Sequence, residues 1–381
     1  MVLSQPLPQI DIPQDMIHLG IGQPSSYLLP LKEMETAAAH SLSKGKNFFL
    51  AYGEAKGNGN FRKTLAEFLT DPYSKPVDPR QLLITNGNSQ GLDFICTLFT
   101  RPGDTVLVEE PSYFLALKIF ADHKLNLVSI PVDDNGIITD SLKKRLETLT
   151  PSFLYTIPTY HNPASVTLSA KRRDELVRIC AQKGLLVVTD EVYHFLNYSD
   201  NPPPSMGTWI NDCPLISLGS FSKILAPGLR LGWMHASKGL VKKITGAGVL
   251  VSGGGLNPFT SEIINSFIAL GFLKTHIQHL KTVYRQRIEV LCDQLRIHLP
   301  AQAVFKVPRG GYFIWIKFPD SVDTNSFRKA AQNQNVDFYP GTLFSHNKGL
   351  KNYMRLSFAF YDEKILAEGA RRLGKVISTQ F

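Results

Sequence analysis

Several short polar clusters in this 381-residue sequence follow apolar runs, and each carries groups able to do chemistry. Ser220-Phe221-Ser222-Lys223 follows Leu215–Gly219, and Pro227-Gly228-Leu229-Arg230-Leu231-Gly232-Trp233 comes next. A lysine taken out of water has a lowered pKa and becomes a nucleophile toward carbonyl carbon. Two hydroxyls and a guanidinium beside it suit a phosphate. Taken alone, a loop lysine is usually solvated. Asp190, in Thr189-Asp190-Glu191-Val192-Tyr193, ends the apolar run Leu185–Val188. A carboxylate entering from such a run is costly unless paired. A protonated ring nitrogen is one suitable partner, and a helix cap is the plain alternative.

The remaining clusters are weaker singly. Asn86-Gly87-Asn88-Ser89-Gln90-Gly91 precedes the helical run Leu92–Phe99. A glycine turn at a helix N-terminus offers free N–H groups to a phosphate, and from this segment alone a capped turn without ligand is the simpler reading. Tyr113 follows Glu109-Glu110-Pro111-Ser112. Its ring suits stacking on a flat group, though an aromatic there is more often core or surface. Asn162, in Tyr160-His161-Asn162-Pro163, suits donation to a phenolic oxygen; the X-Pro step fits a plain turn equally well. Together these clusters are far more specific than any one of them.

What must position them is a sheet. Strands are predicted at Leu82–Thr85, Thr105–Glu109, Phe153–Ile157, Leu185–Thr189, Leu215–Leu218 and Leu231–His235. Amphipathic stretches lie between, such as Ser169–Lys183, with a serine cap and Gly184 at its end. Apolar strands alternating with helices indicate an α/β fold with a mostly parallel sheet covered on both faces. Ligands then sit at the carboxyl ends of the strands. The C-terminal part reads as a smaller α+β unit. A helical pattern over Asn257–His298 is interrupted at Gly271, strands are predicted at Gly310–Ile316 and Asn352–Ala359, and a helix at Asp362–Ile377.

The run Ser220-x-Ser-Lys-x-x-x-Pro-Gly-x-Arg-x-Gly-Trp233 resembles the lysine signature of class I/II aminotransferases, fold-type-I pyridoxal-phosphate (PLP) enzymes related to aspartate aminotransferase. The resemblance keeps its order from Gly20-Ile-Gly-Gln-Pro24 through Tyr52-Gly53, Gly57, Asn162-Pro163 and Asp190-Glu191-x-Tyr193 to Gly310-Gly311 and Arg355-Leu-Ser-Phe-Ala359. It implies a three-layer PLP-binding domain at residues 48–275, a small domain at 276–381, and an arm at 1–47 that partly joins the small domain. It also implies roles. Lys223 holds PLP as a Schiff base and shuttles the proton, Asp190 pairs the ring nitrogen, and Tyr193 and Asn162 bond the ring oxygen. Tyr113 stacks on the ring. Asn88, Ser89, Ser220, Ser222 and Arg230 hold the phosphate, with Tyr52 reaching it from the partner of a homodimer. Arg355 grips the substrate carboxylate with Asn162 and Gly22 alongside. The implied reaction is ping-pong transfer of an amino group between an L-amino acid and a 2-oxo acid.

Two features depart from the best-known pattern. The phosphate turn has Asn88-Ser89-Gln90 where relatives often place Ser or Ala first, which leaves the donating side chain open. Ser252-Gly253-Gly254-Gly255 stands where dicarboxylate-specific relatives carry a basic reader, and no Lys or Arg lies between Thr245 and Leu273. The glycines allow either close backbone approach or a flexible link. A similar run occurs in a subgroup linked to 2-aminoadipate, aromatic or branched-chain substrates. The segment around Ile21, Gln23 and Tyr27 is expected to border the side-chain pocket and to favour aromatic or long aliphatic amino acids.

The bulk properties narrow the rivals. The net charge of +9 is scattered rather than blocked, which speaks against nucleic acid. Cys96, Cys180, Cys213 and Cys292 are far apart and form no metal or disulfide pattern, as in a cytoplasmic enzyme. Met1 to Pro13 lacks a secretory pattern and reads as a surface arm. No run is long enough to span a membrane. A carbon–sulfur lyase or decarboxylase on the same scaffold is the nearest alternative. A regulator with an aminotransferase-like domain needs an N-terminal helix-turn-helix, and the resemblance starts near His18. A catalytically idle protein fits poorly with Lys223, Asp190 and Arg355 together.

Overall fold

The computed structural model describes residues 12–44, 47–198 and 204–378. The expected surface arm falls mainly on residues 1–11, outside the described residues.

The main sheet runs in the spatial order Leu82–Thr85, Gly232–Ala236, Leu215–Ser220, Leu186–Asp190, Phe153–Thr156, Thr105–Glu110, Asn126–Asp133, Gly136–Ile137. Its centre is parallel. Gly232–Ala236 runs antiparallel to both neighbours, so the chain doubles back after Ser220. Each of the six strands expected for this sheet is present to within one or two residues at its ends. Asn126–Asp133 and Gly136–Ile137 were not expected. The first lies near the sheet edge, is mostly half-exposed, and carries Asn126, Ser129 and Pro131, so its apolar signal is broken.

Side chains alternate across the sheet. Phe153, Tyr155 and Ile157 pack with Leu92, Ile95 and Phe120 on one face. Leu154 and Val187 pack with Leu142, Leu176 and Cys180 on the other. Helices Asn88–Phe99 and Phe114–Asp122 therefore cover one face, and Thr139–Thr148 and Ala170–Lys183 the other. The Ser169 hydroxyl accepts from Arg172 N–H, and Gly184 ends the helix at φ +62°.

A second, antiparallel sheet is built on Phe313–Lys317 and Tyr353–Ser357, with short strands on either side. Ile17–His18 pairs with Val336–Asp337, tying the N-terminal segment to this unit. The helical pattern breaks as expected: Gly271 at φ +78° separates Pro258–Ala269 from Phe272–His298. The second of these crosses residue 275, where a domain boundary was expected, as one uninterrupted helix. Glu363–Ile377 closes the fold, capped by the Asp362 carboxylate on Ile365 N–H.

Among the described residues no helix is long and apolar enough to cross a membrane, and no group of three or more metal-binding side chains occurs. The four cysteines are buried and unpaired.

Candidate active site

Lys223 sits in the loop that turns the chain back from Leu215–Ser220 to Gly232–Ala236. Ser220 lies opposite Gly232, and Phe221 N–H donates to Leu231 O at 3.1 Å, so the loop is closed at its base. Tyr312 hydroxyl donates to the Lys223 carbonyl at 2.8 Å. The Lys223 amine donates to Gly22 O at 2.6 Å. Burial first, then the Arg355 charge, lowers this amine to about 8, against the pull of Asp190. A neutral fraction near physiological pH is what a carbonyl nucleophile needs.

Asp190 ends its strand on the face that carries Tyr155. Tyr155 pairs with Val188, and Asp190 is two residues further, on the same side. Asp190 is 4% exposed and forms no ion pair among the described residues. Its Oδ2 accepts from Tyr155 hydroxyl at 2.9 Å and its Oδ1 from Asn88 Nδ2 at 2.8 Å. Burial raises its pKa, and these donors oppose the rise. The Asn88 side chain is thus turned to Asp190, and what it leaves for a phosphate is its backbone N–H in the first turn of its helix, where such groups have no intrahelical partner.

The other phosphate candidates converge around Gly87. Ser89 is exposed in the first helical turn, where N–H groups have no intrahelical partner. Ser220 and Ser222 hydroxyls are 3.0 Å apart. Arg230, in a left-handed conformation at φ +46°, donates to Asn86 O at 3.3 Å and Pro227 O at 3.1 Å. Gly87 is at φ +82°, and a Cβ there would lie 2.9 Å from the Arg230 guanidinium.

Arg355 is 2% exposed and has no acidic partner among the described residues. It donates to Asn162 Oδ1 at 2.8 Å and to Gly20 O at 2.6 Å, while its Nε has no partner. Its guanidinium lies 3.9 Å from the Phe313 ring centre, 4.8 Å from Phe344 and 5.1 Å from Tyr339. Burial lowers it to about 10. A buried cation held only by neutral groups is a carboxylate site in waiting. A Cβ on Gly22 would meet Phe313 at 2.9 Å, so the N-terminal segment lies tight against this ring.

Tyr193 is buried against Tyr312 and Phe313, and burial holds its phenol well above the usual range. Burial, then the Asp190 charge, pushes Tyr113 up to about 12. Tyr52 is not brought to this cleft: it stands 87% exposed. Its loop is held by the glycine run. Gly53 N–H donates to Gly254 O at 3.0 Å, and a Cβ on Gly255 would fall 2.2 Å from Glu54 O. Close backbone approach, rather than slack, explains Gly254 and Gly255; a Cβ on Gly253 would meet nothing within 4 Å.

The family described as aminotransferase class I and II matches residues 14–373. The chain belongs to this family. The aromatic-amino-acid aminotransferase 1 of Thermococcus litoralis is 33% identical over 96% of this chain and 89% of its own. The crystal structure of Pyrococcus horikoshii kynurenine aminotransferase superposes with a TM-score of 0.91 at 32% identity, covering 97% of this chain and 92% of that one. The alpha-aminoadipate aminotransferase of Thermus thermophilus, solved with a phosphopyridoxyl-leucine, gives 0.88 at 29% identity over 96% and 93%. The protein is a PLP-dependent aminotransferase of fold type I. Its own residues fit that cofactor: a deep carboxylate, an amine of lowered basicity, and a glycine-lined helix N-terminus with two hydroxyls and a guanidinium.

The sequence reading missed Tyr155, the Gly20 carbonyl and the rings around Arg355. Tyr155 had a signal, since Phe153, Tyr155 and Ile157 alternate and the one polar member of that face lies on the strand beside Asp190. The rings had none, because they come from distant segments.

Proposed function

We propose that the enzyme moves the amino group of an L-amino acid with an aromatic or long aliphatic side chain to a 2-oxo acid by a ping-pong mechanism. The observation that carries the proposal is Arg355: a buried guanidinium with no acidic partner among the described residues, walled by aromatic rings, beside the segment that holds Lys223. The names of the relatives include aromatic, kynurenine and aminoadipate aminotransferases, which supports this class. The lack of Lys or Arg from 246 to 272 weighs against a basic reader of a second carboxylate there.

PLP, when bound, exchanges amines at its aldehyde carbon and draws electrons into its ring. Lys223 Nζ would accept the α-proton of the substrate and return it. Asp190 would keep the ring nitrogen protonated, Tyr193 and the NH2 end of Asn162 would bond the ring oxygen, and Tyr113 would stack on the ring. Asn88 N–H, Ser89, Ser220, Ser222, Arg230 and the helix N-terminus would hold the phosphate. Arg355 takes the α-carboxylate, with Asn162 and Gly22 bordering it. The exposed Tyr52 would complete the phosphate site of a second copy, which makes the enzyme a homodimer. Residues 48–275 would form the cofactor domain and 276–381, with part of 1–47, the smaller one; the two separate sheets support that division. Buried thiols support a cytoplasmic enzyme.

A panel of amino donors against 2-oxoglutarate and pyruvate tests the reading. Aromatic and long aliphatic donors should give the highest kcat/KM. Turnover confined to aspartate and glutamate would refute it. Pyruvate and ammonia released without an acceptor would mark a carbon–sulfur lyase instead.

A further inference from the structure

We infer that Tyr155 is a positioning residue of the reaction: together with Asn88 it clamps the Asp190 carboxylate and holds it as an anion against the cofactor ring. The inference rests on the role proposed for Asp190 and concerns what makes that role possible.

The geometry is a two-point grip on one buried carboxylate. Tyr155 hydroxyl donates to Oδ2 at 2.9 Å and Asn88 Nδ2 to Oδ1 at 2.8 Å. The two donors come from different elements, the central strand Phe153–Thr156 and the helix Asn88–Phe99. Tyr155 is wholly buried, edge-on to Phe120 at 5.4 Å, so its hydroxyl is locked by packing. Neither donor carries charge. Lys223, whose charge acts on Asp190, makes its hydrogen bond to Gly22 O and none to Asp190 among the described residues.

Neutral donors favour the charged form of a carboxylate without competing with a cation for it. A salt-bridged Asp190 would be anionic too, but its charge would already be neutralised. With the cofactor bound, the proton between Asp190 and the ring nitrogen would be biased toward nitrogen. Removing a donor raises the proton affinity of Asp190, and the ring nitrogen would lose positive character.

The test is the ring-nitrogen chemical shift of 15N-labelled PLP in the holoenzyme, a signal that reports protonation and not turnover. Tyr155→Phe should move it toward the unprotonated value and lower kcat about 10- to 100-fold, with KM within about twofold. Asn88→Ala should move it the same way and decides the matter if the phenylalanine variant does not fold. Asp190→Asn is the control. If that control shifts the signal while Tyr155→Phe and Asn88→Ala leave it at the wild-type value, the clamp is refuted and the Asp190 role stands. If the control leaves it unmoved, the Asp190 role falls and the clamp with it.

Discussion

The amine of Lys223 is bonded to the carbonyl of Gly22, 201 residues earlier in the chain, at 2.6 Å. The lysine is thus held in the cleft by a neutral acceptor, and burial lowers it to about 8. An amine attacks an aldehyde only when unprotonated. The rate of PLP incorporation into the apoenzyme should therefore rise as pH climbs and level off above about 8. An ordinary lysine would keep gaining up to about 10.4. Borohydride trapping after short exposures across a pH series measures this; a midpoint near the ordinary value would contradict it.

Arg355→Ala should raise KM for amino acids about 30- to 150-fold, the loss of about 2–3 kcal/mol of charge-assisted bonding, with a smaller change in kcat. Arg355→Lys should fall between, because an ammonium keeps the charge and loses the fork. Steady-state kinetics decides, and an unchanged KM would remove Arg355 from the substrate site.

The glycine run offers an internal contrast. Gly255→Ala combines a backbone at φ +86° with a Cβ 2.2 Å from Glu54 O, and should cost about 2 kcal/mol or more in urea unfolding. Gly253→Ala meets nothing within 4 Å and should be neutral or stabilising by up to about 1 kcal/mol. Equal effects at both positions would restore the flexible-link reading.

Tyr52→Ala and Lys223→Ala should each be nearly inactive alone. If Tyr52 serves the other subunit, each mixed dimer has one intact site, and random reassortment should recover about a quarter of wild-type sites. No recovery after unfolding and refolding the two together would place Tyr52 in its own chain's site or outside it altogether.

Legibility followed locality. Lys223, Ser220, Ser222 and Arg230 lie on one closed loop, and Asp190 ends one apolar strand, so a linear reading could bring them together as candidates. The strands with unbroken apolar runs were found for the same reason, while Asn126–Asp133 was hidden by Pro131 and its half-exposed face. The direction of a side chain was a different matter. The sequence left open which group of the phosphate turn donates, and the Asn88 amide is bonded instead to the buried Asp190. The rings about Arg355 come from residues 114, 313, 339 and 344, and no spacing rule joins them before the chain has folded.

The closed loop between Ser220 and Gly232 also works as a ruler. It sets the span from the amine at one end to the guanidinium at the other, and under the proposed roles of Lys223 and Arg230 that span would have to match the cofactor. Residues inserted within the loop would alter the measure, whereas residues inserted in the turns at the far edge of the sheet would not. Drift in chain length should accordingly gather away from this hairpin.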